Sequence, residues 1–139
     1  MFVDASAVIA IISGEPDAAS LAARVAQAKR ILVSPMVTYE ATTGLARKRA
    51  CPIADADGLV ADFLDAIGAE IVDITAAIGR DAARAFGRYG RGRHKADLNM
   101  GDCFAYACAR ANRARLLFKG EDFTKTDIPS AGQSGRPQQ

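Results

Sequence analysis

Four acidic side chains stand at positions where an α/β chain would gather them. Asp4 closes the apolar run Met1-Phe2-Val3 and is followed at once by Ala5-Ser6-Ala7-Val8-Ile9-Ala10-Ile11-Ile12, so a strand stops on a carboxylate and turns into a helix. In open α/β sheets ligands bind in the crevice beyond the carboxyl ends of the strands. Glu40 lies on the inward stripe Val37, Ala41, Gly44, Leu45 of a helix expected from Pro35 to about Arg49, an expensive place for an unpaired carboxylate. Asp102 falls in the first turn of an alanine-rich helix, where the helix dipole favours negative charge, and Asp122 follows the last aliphatic strand. Packed together, such carboxylates repel, and one or more must hold a proton unless a cation is shared. An oxygen-only set with no histidine or cysteine cluster suits Mg2+, with Mn2+ as a substitute, rather than zinc. The chemistry open to such a site is phosphoryl transfer to water. Three of the acids also have a plainer reading: Asp4 and Asp102 as helix caps, Glu40 as a stripe-edge residue in solvent.

The elements that must position these acids alternate along the chain. Strands are expected at Met1–Asp4, Arg30–Val33, Ala69–Ile74 and Arg115–Phe118, with a short edge strand at Thr126–Ile128. Helices are expected from Ala5, from about Glu15, from Ser34-Pro35 (Ser as N-cap, Pro in the first turn), over Ala54–Ala66, over Thr75–Tyr89 and after Asp102. This alternation predicts a single α/β domain with a mainly parallel sheet and helices on both faces. The domain spans residues 1–129, and Ser130–Gln139, without apolar periodicity, is expected to be a loose, disordered tail.

With 139 residues, half of them hydrophobic, and a formal charge of +2, the chain is globular and too weakly charged overall to announce a nucleic-acid partner. The distribution says more. Arg80, Arg84, Arg88 and Arg91 share one helix face, and Arg93, His94 and Lys95 continue it, with Asp81 as the single acid between Arg80 and Lys95. Such a strip fits a surface that meets phosphates, although a solvated arginine face has the same pattern. His94 reads as a solvent or substrate contact rather than a metal ligand. Cys51, Cys103 and Cys108 lack C-x-x-C spacing and read as reduced thiols. With no secretory signal and no stretch long enough to span a bilayer, a cytoplasmic protein without a membrane partner is expected. Acids plus basic strip together suggest a nuclease.

Val3-Asp4-Ala5-Ser6-Ala7, Thr38-Tyr39-Glu40-Ala41, Leu98-Asn99-Met100-Gly101-Asp102 with Tyr106, and Gly120-Glu121-Asp122-Phe123 resemble, in order, the acidic motifs of PIN-domain ribonucleases, more specifically the VapC toxins of bacterial toxin–antitoxin pairs. The resemblance runs from residue 1 to about 129. It implies an α/β/α sandwich, magnesium-dependent endonucleolytic cleavage of RNA, homodimerisation, and inhibition by a cognate VapB-type antitoxin. It further implies that Asp4, Glu40 and Asp102 are the catalytic, metal-binding acids with Asp122 as the fourth, Glu121 and Asp127 being nearby alternatives. Ser6 would support the first acid and water, and Arg91, Arg93, His94 and Lys95 would hold RNA. Asp97 has no place in the pattern. Two rivals stay open on sequence. A haloacid-dehalogenase-like phosphohydrolase also puts Asp after the first strand, but normally carries an acid two residues on, where this chain has Ser6. A non-catalytic acidic pocket that binds a partner would show the same four acids.

Overall fold

A computed structural model describes residues 1–132. Its elements are β1 (Phe2–Val3), α1 (Ala5–Ile12), α2 (Ala18–Gln27), β2 (Leu32–Val33), α3 (Pro35–Arg49), α4 (Ile53–Ala66), β3 (Glu70–Ile71), α5 (Ala76–Tyr89), α6 (Met100–Ala111) and β4 (Leu116–Leu117), followed by a 3-10 turn at Asp122–Lys125. Among the described residues the sheet has four strands in the order β3-β2-β1-β4, all parallel. The chain steps from β1 to β2 to β3 and then crosses back beyond β1 to β4. Right-handed crossovers therefore put α1 to α4 on one face and α5 and α6 on the other. The packing agrees: α1 contacts α2, α3 and α4, while α5 lies against α6.

Burial on both faces explains why the inner strands are purely aliphatic or aromatic. Phe2, Val3, Leu32, Val33, Leu116 and Leu117 are all at most 1% exposed. β3 is one edge, and there the expected strand Ala69–Ile74 shrinks to two exposed residues, its Glu70 paired with Arg30 through two 3.0 Å hydrogen bonds. Helix starts follow local capping. The Ser34 hydroxyl accepts from Val37 N at 3.3 Å ahead of Pro35, and Thr75 Oγ1 accepts from Ile78 N at 3.2 Å.

Several expectations differ from the structure. The second helix begins at Ala18 rather than near Glu15, whose carboxylate is held by Lys48 and Lys119. Leu59 and Phe86, assigned to apolar faces, are 38% and 39% exposed, while Ala56 takes the inward place on α4. The edge strand expected at Thr126–Ile128 is displaced: Leu116 N donates to Pro129 O, Ala131 N donates to Leu116 O, and Ser130 bridges Leu116 in parallel. The ordered chain therefore passes residue 129. Ala131 is buried and its carbonyl accepts from Arg24, so the start of the expected tail is packed; residues 133–139 of that tail lie outside the described residues.

Phe2→Ala should cost about 3–5 kcal/mol of stability, because it empties a fully buried position of the central strand. Ile71→Ala, on the exposed edge, should stay within about 0.5 kcal/mol. Urea unfolding midpoints of the two variants check this contrast.

Candidate active site

The switch in strand order falls between β1 and β4, and Asp4 stands there at the end of β1. Its carboxylate is 4% exposed. Oδ2 accepts from the Ser6 amide at 3.1 Å and from the Ser6 hydroxyl at 2.5 Å, and Ser6 Oγ in turn accepts from Lys119 N at 3.0 Å. The side chain thus caps α1 and faces the crevice at once. Ser6 also ties the loop after β1 to the loop after β4. Burial raises the Asp4 pKa, the Ser6 contacts oppose the rise, and the charge of Asp122 adds to it.

Asp102 is fixed by a capping box: Asn99 Oδ1 accepts from Asp102 N at 2.9 Å and Asp102 Oδ2 accepts from Asn99 N at 3.0 Å. Burial pushes its pKa up to about 6; the Asn99 amide opposes this, Asp4 and Asp122 reinforce it, and Arg91 works against it. Glu40 reaches the same place from α3. Among the described residues its carboxylate accepts no hydrogen bond, and it lies over Gly101, where an added Cβ would stand 1.9 Å from Oε2. Burial, then Asp4, then Asp102 push its pKa up to about 7. A side chain at 101 would therefore force the Glu40 carboxylate to move from this position.

Asp4, Ser6, Glu40 and Asp102 line one open cleft of about 550 Å³, together with Asn99 and the α3 residues Tyr39, Thr43, Gly44 and Arg47. Asp122 does not line it. It opens the exposed 3-10 turn and acts on Asp4 and Asp102 through charge. Asp127 is engaged elsewhere, accepting from the Tyr106 hydroxyl and from Arg110 at 3.0 Å, with Arg88 at 3.5 Å. Among the described residues no three acidic, histidine or cysteine side chains are already gathered as a ready-made metal cage. The donor set is nonetheless oxygen-only, and one half-buried carboxylate lacks a partner. Both features fit a hard divalent ion that keeps part of its water shell.

The basic loop is more structured than its composition implies. Arg91 pairs with Asp97 at 3.7 Å, which accounts for that acid. His94 is half-buried, its ring meets Tyr89 edge-on at 5.1 Å, and its Nδ1 accepts from Ala96 N at 3.0 Å, so the ring helps shape the loop. Arg93 lies over Phe86 at 5.5 Å, Arg84 pairs with Asp81 and Arg88 with Asp127, while Lys95 is exposed. Arg47, Tyr39 and Asn99 were missed by sequence reasoning. Arg47 is seven residues after Glu40, two helical turns along the same face, and that spacing was a legible signal.

The sequence matches the PIN domain family over residues 1–129, and the chain belongs to that family. It is 39% identical to a VapC ribonuclease of Rhizobium meliloti, covering 91% of this chain and 98% of the relative. It is 38% identical to ribonuclease VapC30 of Mycobacterium tuberculosis, covering 92% and 95%. Among solved structures, the sarcin-ricin loop cleaving toxin VapC20 of Mycobacterium tuberculosis superposes with a TM-score of 0.74 at 18% identity, covering 91% of this chain and 95% of that one. VapBC2 of Rickettsia felis, solved on a promoter DNA fragment, gives 0.68 at 16% identity, covering 93% and 94%.

The raised carboxylates make stability depend on pH. Between the ordinary values of 4.5 and 3.8 and the folded values of about 7 and about 6 for Glu40 and Asp102, the folded chain binds more protons than the unfolded one. Stability of the metal-free protein should therefore fall as pH rises through roughly 4.5 to 7. Glu40→Gln should flatten that fall and stabilise the metal-free protein at pH 8 by on the order of 1 kcal/mol, after screening by solvent in the open cleft. Thermal melts of both proteins across this range test it.

Proposed function

We propose that this chain is a metal-dependent endoribonuclease, the toxin of a VapC-type toxin–antitoxin pair, that cleaves RNA phosphodiester bonds by hydrolysis at the Asp4–Glu40–Asp102 cleft. The observation that carries the reading is the arrival of three carboxylates from three elements in one cleft of a PIN-family chain whose relatives are ribonucleases. Membership of that family also displaces the haloacid-dehalogenase alternative.

Asp4, Glu40 and Asp102 would hold Mg2+, with Mn2+ as a substitute, partly through water, and Asp122 would add negative charge from the cleft margin. When bound, the ion polarises a phosphate oxygen and makes an attacking water more acidic. Ser6 keeps the Asp4 carboxylate fixed, and Asn99 does the same for Asp102. Glu40, with no hydrogen-bond partner of its own, would be the adaptable member, protonated near neutrality when alone and ionised beside a cation. Arg91, Arg93 and Lys95 would hold the RNA backbone, with His94 chiefly supporting the loop that carries them.

A VapB-type antitoxin and a second copy of the chain are the protein partners of this reading. Support comes from relatives named as VapC ribonucleases and from fold neighbours that include a toxin–antitoxin complex of Klebsiella pneumoniae. No helix among the described residues is long and apolar enough to cross a membrane, in keeping with action on cytoplasmic RNA.

With protein free of contaminating ribonuclease, total RNA should be cut in the presence of Mg2+ and spared with a chelator. Asp4→Asn and Asp102→Asn should reduce cutting to background while circular dichroism and melting stay folded; full activity in either variant sinks the site. If the acids only bind a partner, wild-type protein will bind metal with no turnover of RNA. Gly101→Ala should also depress cleavage strongly, since its methyl group takes the space of the Glu40 carboxylate.

A further inference from the structure

The α3 wall of the cleft carries two side chains that neither hold metal nor support the fold. Tyr39 and Arg47 lie eight residues apart, with Thr43 between them, so all three fall near one line down the helix. Thr43 Oγ1 is spent on the Tyr39 carbonyl at 3.0 Å. Among the described residues the other two side chains have no hydrogen-bond or ion-pair partner. Tyr39 is 64% exposed at the cleft, and no hydrogen bond to its hydroxyl is found among the described residues.

Arg47 differs from its neighbours in the same helical turn. Lys48 is tied to Glu15 at 2.6 Å, and Arg49 donates to Ile12 O at 3.0 Å, so both fasten α3 to the end of α1 and the turn after it. Arg47 makes no ion pair or hydrogen bond among the described residues, and it is the only cation lining the cleft of Asp4, Glu40 and Asp102. Complementing the helix dipole explains a basic residue in the last turn, but not one left unpaired beside three acids.

We propose that Tyr39 and Arg47 form a subsite for one nucleotide of single-stranded RNA beside the acidic centre: Tyr39 stacks a base and Arg47 grips a phosphate next to it. The proposal rests on the ribonuclease reading and adds what holds the strand on the α3 side, apart from the basic loop of Arg91 to Lys95 that precedes α6. Stacking on an exposed aromatic tolerates any base, while a planar guanidinium matches phosphate oxygens two at a time. A strand held at Tyr39 and Arg47 presents a phosphodiester to the acids, and duplex RNA, whose bases are already stacked, gains nothing from Tyr39.

The test measures binding of a short fluorescent single-stranded RNA by anisotropy, on an Asp102→Asn background so that the probe survives, across a salt series. Tyr39→Ala should weaken binding about 5- to 100-fold with the salt slope unchanged, and Tyr39→Phe should restore it. Arg47→Ala should weaken binding and lower the slope of log K against log salt by about one; Arg47→Lys should keep the slope and recover only part of the affinity. In the cleavage-competent chain both alanine variants should raise KM more than they lower kcat. Variants that bind RNA as tightly as the background, with the same slope, overturn the subsite. The same result joined to loss of binding to the cognate antitoxin reassigns this wall to the protein partner. Either outcome leaves wild-type cleavage intact, whereas failure of the ribonuclease reading removes cleavage itself.

Discussion

Loss of water around a cluster of carboxylates, with their repulsion added to it, is the constraint around which this molecule is arranged. Asp4 is almost fully buried, and the pKa values of Glu40 and Asp102 are pushed up by loss of water first and, among the neighbouring charges, by that of Asp4. A fold that aims for stability alone would put apolar residues here. The chain instead accepts the cost at one end of its sheet and supplies it from a core in which six strand residues are essentially sealed from solvent. The strain is electrostatic, so a divalent cation relieves it directly.

The supports of the acids are economical in residues. Asp4 and Asp102 each cap a helix with one carboxylate oxygen, through the Ser6 amide and the Asn99 amide respectively. Capping and site-building are therefore not competing explanations; the cap hydrogen bond holds the side chain, and both residues line the cleft. Ser6 goes further, because the Lys119 amide that donates to its hydroxyl belongs to the loop after β4. The two strand ends flanking the switch in strand order are joined by one hydroxyl.

Charge along the basic strip is shaped rather than simply accumulated. Arg84, Arg88 and Arg91 each have an acidic partner, and Arg93 lies over an aromatic ring, so the strip is a framework with defined side-chain positions. Arg91 serves both sides, pairing with Asp97 while lowering the pKa of Asp102. The left-handed conformation of Asp97, with φ of 54°, turns the chain back toward Leu98 and the start of α6. Asn99 and Asp102 follow directly, so the basic loop also delivers an acid.

By itself the amino-acid sequence determined the alternation of elements, the parallel α/β class, the helix from Pro35 to about Arg49, three acids after strands or at a helix start, and Glu40 on the inward stripe of that helix. These features are local: hydrophobic periodicity, Ser-Pro and Asn-x-x-Asp capping, and chain order suffice to read them. Tertiary structure alone decided which acids share a space. Asp122 and Asp127 look equivalent in sequence, yet one acts on the site through charge while the other is consumed by Tyr106, Arg110 and Arg88, contacts whose partners are up to 39 residues away. The approach of Glu40 to Gly101 joins α3 to α6 across 61 residues of chain. The unpaired state of Arg47 beside two committed neighbours is likewise invisible to spacing, because only packing shows which charges are already spent.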